Sequence, residues 1–175
     1  MSNPQADTMN NLNWMESGGG PLLLAATPLL AHWSGTAPSE RTAGETDYQR
    51  ACAVGNEIDT IDLGDAQAVV LGDEPNRTVM FLRASDLLLV RWRWANSEEE
   101  LLAALRDALD QLSFISAGTF LTVPGEHLLF DSAFSGTEVA ESSSVILEAS
   151  DYAIDTATFE PSSSTSALIH RLRPK

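Results

Sequence analysis

The chain is poor in positive charge. Of its 175 residues only ten are Lys or Arg, against 25 Asp and Glu, which gives a formal net charge of −15. No Lys or Arg precedes Arg41, and none lies between Arg106 and Arg171. A field of this sign repels nucleic acid and anionic membranes and attracts basic partners. We therefore exclude direct binding to nucleic acid and to membranes, and keep plain solubility as the alternative explanation of the charge.

Cysteine and long apolar runs are scarce too. The single cysteine, Cys52, excludes an intramolecular disulfide and suits a reducing compartment; we expect it to be a buried structural residue on a short helix. The apolar run "PLLLAATPLLA" has 11 residues, whereas a membrane-spanning helix needs about 20. It also lacks the positive segment that precedes the core of a signal peptide. These absences predict a cytoplasmic protein.

The usual motifs of catalytic, cofactor and metal sites are missing. The glycines of "SGGGPLLL" lack the lysine of a phosphate-binding loop, and a turn explains them better. The three histidines, His32, His127 and His170, are far apart in sequence. No nucleophile-elbow pattern is present. We therefore expect no cofactor, no metal and no enzymatic activity.

The patterns that are present predict an α+β domain, mostly antiparallel β-sheet, with one long amphipathic helix at about 97–112 and one or two short helices. The long helix follows from a capping box at Ser97 and Glu100 and an apolar stripe behind it. Alternation and tight-turn residues predict strands at "EIDTIDL", "AQAVVL", "TVMFL" and "DLLLVRWRW", and more strands after Phe114.

The N-terminal part gives weaker signals. Residues 1–11 are polar and aperiodic, which predicts a disordered tail before one domain at 12–175. "LNWM" and "PLLLA" resemble two short strands around a glycine turn. A short helix capped by Thr27 would follow, and a second one would start at Thr46 or Asp47.

Several side chains are assigned to the surface. Alternation along "DLLLVRWRW" puts the tryptophans in the core and leaves Arg91 and Arg93 to meet water or carboxylates. Together with Arg77 and Arg83 they form a small arginine group. Trp33 and Phe134 are expected to be exposed loop aromatics. An acidic surface without a catalytic constellation is typical of a binding module.

Six motifs in order suggest a family: "WMESGGGPLLL", "HWSG", "DYQRACAV", "LGDEP", "LLVRWRWANSEEELLAAL" and "LLFDSAFSGTEV". From about Trp14 to the C-terminus the set resembles the immunity protein 21 family of bacterial polymorphic toxin systems. The resemblance carries family-pattern positions over to Trp14, Gly19, Gly20, Pro21, Trp33, Gly35, Asp47, Tyr48, Cys52, Gly72, Asp73, Glu74, Pro75, Arg91, Trp92 and Asp131.

The resemblance implies an antidote that is encoded beside a secreted toxin and binds the toxin domain in the cytoplasm. An acidic inhibitor of this kind can block a basic toxin cleft by mimicking phosphate charge. The expected toxin-binding residues are Asp59, Asp62, Asp65, Asp73 and Glu74. The alternative hypothesis is a small enzyme or ligand-binding domain with a site near Cys52, Asp73, Glu74 and Arg91.

Overall fold

The computed structural model describes residues 12–39, 44–72 and 74–175. The predicted tail at 1–11 and the candidate Asp73 lie outside the described residues. The strands are β1 (Leu22–Ala26), β2 (Asp59–Leu63), β3 (Ala66–Leu71), β4 (Thr78–Arg83), β5 (Asp86–Trp94), β6 (Ile115–Leu121), β7 (Gly125–Asp131), β8 (Ser143–Leu147), β9 (Asp151–Ser162) and β10 (Thr165–Pro174). The helices are α1 (Asp47–Cys52) and α2 (Glu98–Ala108), with 3₁₀ segments at Thr27–His32 and Leu109–Gln111.

These strands form two five-stranded sheets. The first sheet has the order β2-β3-β1-β7-β8 and the second the order β4-β5-β10-β9-β6. Within the described part of the chain every strand pairing is antiparallel. The prediction of an α+β domain that is mostly antiparallel β-sheet is confirmed in its sheet part.

The two sheets face each other across a shared apolar layer. Leu24 and Val69 of the first sheet pack with Leu89, Phe120 and Ile154 of the second. Because neighbouring residues of a strand point to opposite faces, the outer faces are apolar too and need a cover.

Short helical segments provide those covers. Leu23 and Val70 on the outer face of the first sheet pack under Leu29, Trp33 and Ala51 of the 27–33 segment and α1. On the outer face of the second sheet the cover is α2, whose Leu101 and Leu105 are fully buried. The order of layers is therefore helix, sheet, sheet, helix.

The prediction of one long amphipathic helix at 97–112 is wrong. The helix begins as predicted, because the Ser97 hydroxyl accepts from the Glu100 amide. It remains α-helical for only 11 residues and then tightens into a three-residue 3₁₀ turn at Leu109–Gln111. Leu109 and Leu112 are only half-buried, so packing does not hold the last turn in α form.

The N-terminal predictions had mixed outcomes. Thr46 caps α1 in a capping box with Gln49, as expected. Thr27 is not a cap; it is the first residue of its 3₁₀ segment, which has no side-chain cap. "LNWM" is not a strand, since only Met15 forms an isolated bridge, to Thr78.

Candidate partner-binding surface

Three of the predicted toxin-binding residues lie on one hairpin. Asp59 and Asp62 belong to β2, the edge strand of the first sheet, and Asp65 lies in the turn to β3. That turn needs a residue at φ 62°, which Gly64 provides without strain. Asp62 and Asp65 are exposed and Asp59 is half-buried. The hairpin therefore presents three carboxylates along one edge of the protein.

These carboxylates are not engaged in ion pairs by the described basic side chains. Among the residues that the structure describes, no salt bridge involves Asp59, Asp62, Asp65 or Glu74. Within the described residues Asp59 accepts from two neutral groups, the side-chain amide of Asn56 at 3.1 Å and the backbone amide of Thr60 at 2.8 Å. A basic side chain of a partner would therefore not have to displace any of the described basic side chains of this protein.

Glu74 lies beyond the other end of β3, away from the Asp65 turn. Its side chain is exposed, and its main-chain carbonyl accepts from Arg91 at 2.6 Å. The backbone of Glu74 is therefore part of the fold, while its carboxylate is on the surface.

The expectation that Arg91 meets water or carboxylates is wrong. Its side chain lies between the two sheets, is 1% exposed, and donates to the carbonyls of Glu57 at 2.5 Å and Gly72 at 2.6 Å, besides that of Glu74. Strand alternation placed Arg91 on the correct face of β5, but it cannot show that loops of the first sheet close over that end. The guanidinium binds those loops to the second sheet.

His170 lies beside Arg91 and is fully buried on β10. Its Nδ1 is 2.8 Å from the Thr156 hydroxyl, and its Nε2 is 3.5 Å from a guanidinium nitrogen of Arg91. Burial, with the positive charges of Arg91 and Arg93, lowers the pKa of His170 to about 3. The imidazole is therefore neutral at physiological pH and serves the packing between the sheets.

The predicted surface group of arginines does not exist as a free positive patch. Arg77 pairs with Glu16 and Glu98, and Arg83 pairs with Asp110. Arg93 pairs with Glu57 at 3.3 Å. The positive charges are therefore neutralised locally.

The family-pattern tryptophans Trp14 and Trp92 surround one of these arginines. Their rings meet edge to face with centroids 5.6 Å apart, and the Arg77 guanidinium lies 5.5 Å from the Trp14 ring centre and 5.6 Å from that of Trp92. These contacts attach the N-terminal segment to the second sheet.

Most other family-pattern positions meet in one cluster of loops at the end of the first sheet. Asp131 accepts from the amides of Gly18 at 2.8 Å and Ala133 at 2.9 Å. The next residue, Ser132, donates from its hydroxyl to the Pro21 carbonyl at 2.6 Å. The glycine turn and the "FDSAFSG" loop are therefore held together by side chains that the motifs contain.

The "HWSG" and "DYQR" motifs complete this loop cluster. Trp33 donates from its indole nitrogen to the Ser132 carbonyl at 3.0 Å. Asp47 is buried and accepts from the Ser34 amide at 2.8 Å, while the Tyr48 amide donates to the Gly35 carbonyl at 3.0 Å. Every one of these groups bonds to protein backbone.

Glycine is required at two points of the cluster. Gly35 has φ 60°, and a Cβ there would lie 2.5 Å from the Ala133 carbonyl oxygen. A Cβ at Gly20 would collide with the Tyr48 ring. Gly19 has φ 124° and open space around it.

Two burial predictions are reversed in this region. Trp33 was expected to be exposed but is 1% exposed, because the 131–136 loop folds over it. Cys52 was expected to be buried but is exposed at the end of α1. The hydrogen bond with Cys52 and, to a smaller extent, burial raise the pKa of Tyr48. Phe134 is 49% exposed, as predicted.

Of the described residues of the alternative enzyme hypothesis, Cys52 lies apart from Glu74 and Arg91. Glu74 and Arg91 line a hollow of about 220 Å³ with Asn76, Arg93, Trp94 and Leu168. Cys52 is not part of that hollow; it belongs to the helix on the outer face of the first sheet.

Within the described ranges no group of three or more His, Cys, Asp or Glu is placed to hold a metal ion. None of the helices described is long and apolar enough to cross a membrane.

The residues singled out by the sequence thus divide into backbone-bonding groups that hold loops and an exposed acidic hairpin. Residues 13–165 match the family model of Immunity protein 21, and the chain belongs to that family. No curated protein and no solved structure matched the chain.

Proposed function

We propose that this chain is a non-catalytic immunity protein that binds and neutralises a cognate toxin domain in the cytoplasm of the producing bacterium. The proposal rests on membership of the Immunity protein 21 family. The observation that supports a mechanism is the set of carboxylates on the β2–β3 hairpin, which form no salt bridge with any basic side chain that the structure describes.

The distribution of ion pairs favours charge mimicry. Seven basic side chains are engaged in the salt bridges of the described part of the chain. Acidic residues far outnumber them, so the surface field remains negative. Such a field accelerates the encounter with a basic cleft, for example that of a nuclease, and the carboxylates can occupy phosphate positions there.

The first experiment is co-expression with the toxin domain encoded beside this chain. We expect the pair to co-purify and the chain to restore growth. If neither a complex nor rescue is found, the proposed function is wrong.

The second experiment tests the acidic hairpin. The triple variant Asp59→Asn, Asp62→Asn and Asp65→Asn removes three charges, keeps the shape of the side chains and leaves each of them one acceptor oxygen. If charge mimicry operates, the affinity should fall by at least about ten-fold, equivalent to ~1.4 kcal/mol, and the salt dependence of binding should become shallower.

A matched control removes the same charge elsewhere. Asp107, Glu148 and Glu160 are exposed and lie outside the hairpin, so the variant Asp107→Asn, Glu148→Gln, Glu160→Gln has the same net charge. Equal losses of affinity in both triple variants would mean that the overall charge, and not the position of the carboxylates on the hairpin, determines binding. Only a larger loss in the hairpin variant supports local contact.

A further inference from the structure

The β6 strand is an exposed edge without charge. It pairs only with β9 among the described strands, and its sequence, ISAGTFL, contains no ionisable residue. Only Phe120 of the strand is buried, whereas Ile115 is 76% exposed and Leu121 is 50% exposed. Exposed edges are usually protected by charges, proline or a cover, because they accept further strands.

The neighbouring edge shows such protection. β6 lies against β2 and β3, so both sheets end on the same side of the protein. β2 carries Asp59 and Asp62, and Arg50 donates to the Asp62 carbonyl at 2.9 Å. β6 has weaker protection: a bulge between Ser116 and Gly118, and the Gln67 side chain, which accepts from the Leu121 amide at 2.9 Å.

Hydrogen-bond alternation shows which groups of β6 face outward. Thr122 donates from its amide to the Ser150 carbonyl at 2.9 Å, on the β9 side. In an antiparallel pair alternate residues bond to the same neighbour, so Phe120 also bonds toward β9, while Thr119 and Leu121 direct their backbone groups away from it. The bond from Leu121 to Gln67 agrees with this alternation. The next residue whose backbone groups point away from β9 is Thr119, and the bond between Leu121 and Gln67 does not involve it.

A groove runs beside the start of β6. It encloses about 760 Å³ between residues 55–58, which precede β2, residues 113–117 and residues 156–158 of β9. Ile58 and Ile115 contribute apolar surface, and Thr156 and Thr158 contribute hydroxyl groups. The groove has room for side chains of a strand that pairs with β6.

The charge around the groove selects the kind of strand. Glu57 lines it and is already paired with Arg93, whereas Asp59 and Asp62, which follow on β2, form no salt bridge with a described basic residue. A second copy of this chain would bring a net charge of −15 to an already acidic edge, so self-association is disfavoured. A strand with basic side chains would satisfy both the backbone of β6 and the acidic neighbours.

We propose that β6 is the docking edge for the partner, which adds an extended, cationic segment to the second sheet along Ile115–Thr119. The inference rests on the proposed function, since it takes the cognate toxin domain as the partner. Backbone hydrogen bonds to β6 supply affinity that does not depend on the partner's side chains, and the acidic hairpin selects basic side chains.

A pair of matched variants tests this edge. Ile115→Lys places a charge on the edge of β6. Ile146→Lys makes the same change at a 56% exposed isoleucine on β8, which lies against β4 at the opposite side of the protein. With the toxin domain encoded beside the chain as probe, we expect Ile115→Lys to lose at least about ten-fold in affinity and Ile146→Lys to bind as the wild type does. Circular dichroism and thermal unfolding verify that both variants fold.

Hydrogen exchange on the wild-type complex gives a second readout that needs no substitution. The Thr119 amide points away from β9, so it should exchange fast in the free protein and become protected when the toxin domain binds. Equal binding of Ile115→Lys and Ile146→Lys, together with unchanged exchange at Thr119, would overturn the docking edge and leave the proposed function standing.

The remaining outcomes are also decisive. If the wild type does not bind the toxin domain, the proposed function fails and the docking edge fails with it. If sedimentation shows a dimer of the free wild type that Ile115→Lys abolishes, the edge serves a second copy of this chain and the inference is wrong.

Discussion

Replacement of Arg91 by methionine tests the connection between the two sheets. The guanidinium is 1% exposed and donates to three main-chain carbonyls, two in the loop after β3 and one before β2. Methionine keeps much of the length and volume of the side chain but donates nothing. The carbonyls of Glu57, Gly72 and Glu74 then lose a donor in a place that solvent reaches poorly.

The magnitude follows from opposing terms. Hydrogen bonds to a charged donor contribute about 1.5–3 kcal/mol each, and the gain is partly offset by the cost of burying a guanidinium. Leaving a buried carbonyl without its donor costs about 1–3 kcal/mol, and three carbonyls lose a donor here, so about 3–5 kcal/mol remains after that offset. For a chain of this size each kcal/mol lowers Tm by roughly 2–4 °C, so we expect Arg91→Met to lower Tm by about 6–20 °C.

Thermal unfolding measures the change in Tm, and urea unfolding followed by fluorescence and circular dichroism measures the change in the free energy of unfolding. Arg83→Met is the matched control, since Arg83 pairs with Asp110, whose side chain is 82% exposed. Such a surface pair contributes about 0–1 kcal/mol. If Arg91→Met costs no more than Arg83→Met, the three carbonyl contacts do not stabilise the fold and our reasoning about Arg91 is refuted.

Three further predictions concern single residues. Because His170 has a pKa of about 3 when folded and an ordinary value of 6.5, only the unfolded chain takes up its proton as pH falls, so stability should drop by about 2 kcal/mol between pH 7 and pH 5, and His170→Gln should remove most of that part of the slope in urea melts. Gly35→Ala should cost about 2 kcal/mol or more, from backbone strain at φ 60° and the clash with the Ala133 carbonyl, whereas Gly55→Ala, which enters open space, should stay near wild type. Exposed Cys52 should react with a thiol reagent in the native protein at a rate close to that of the unfolded chain.

Each of these predictions can fail independently. An unchanged pH slope in His170→Gln would show that the imidazole takes up its proton equally readily in the folded and in the unfolded protein. A stable Gly35→Ala would mean that the loop cluster can move apart. A thiol that reacts only after unfolding would place Cys52 inside the protein.

Local signals predicted the strands well. The pair β2–β3 follows from alternation and from the tight-turn residues Gly64 and Asp65, which determine where the chain reverses. The start of α2 followed from the Ser97 cap. Its end was wrong because the last apolar residues are only half-buried, which depends on how far the helix extends over the sheet.

Burial at the ends of elements was predicted poorly. Alternation gives the face of a side chain and not what covers it, which is why Arg91 was assigned to the surface. The burial of Trp33 depends on the 131–136 loop, about a hundred residues later in the chain. No local pattern contains that contact.

The candidate surface could be predicted only in part. The Asp59, Asp62 and Asp65 series was visible as acidic residues on a strand and its turn, and the structure brings these residues to one hairpin. The groove beside β6 was not visible, because it forms between segments that the sheet order brings together. That order depends on long-range pairing.

The most direct test of the account is inhibition of the purified toxin domain by the purified chain. We expect the toxic activity, measured on its own substrate without cells, to disappear as the chain approaches a one-to-one molar ratio, and to return when high salt screens the acidic surface. Full toxin activity in the presence of excess chain at low salt would contradict the account.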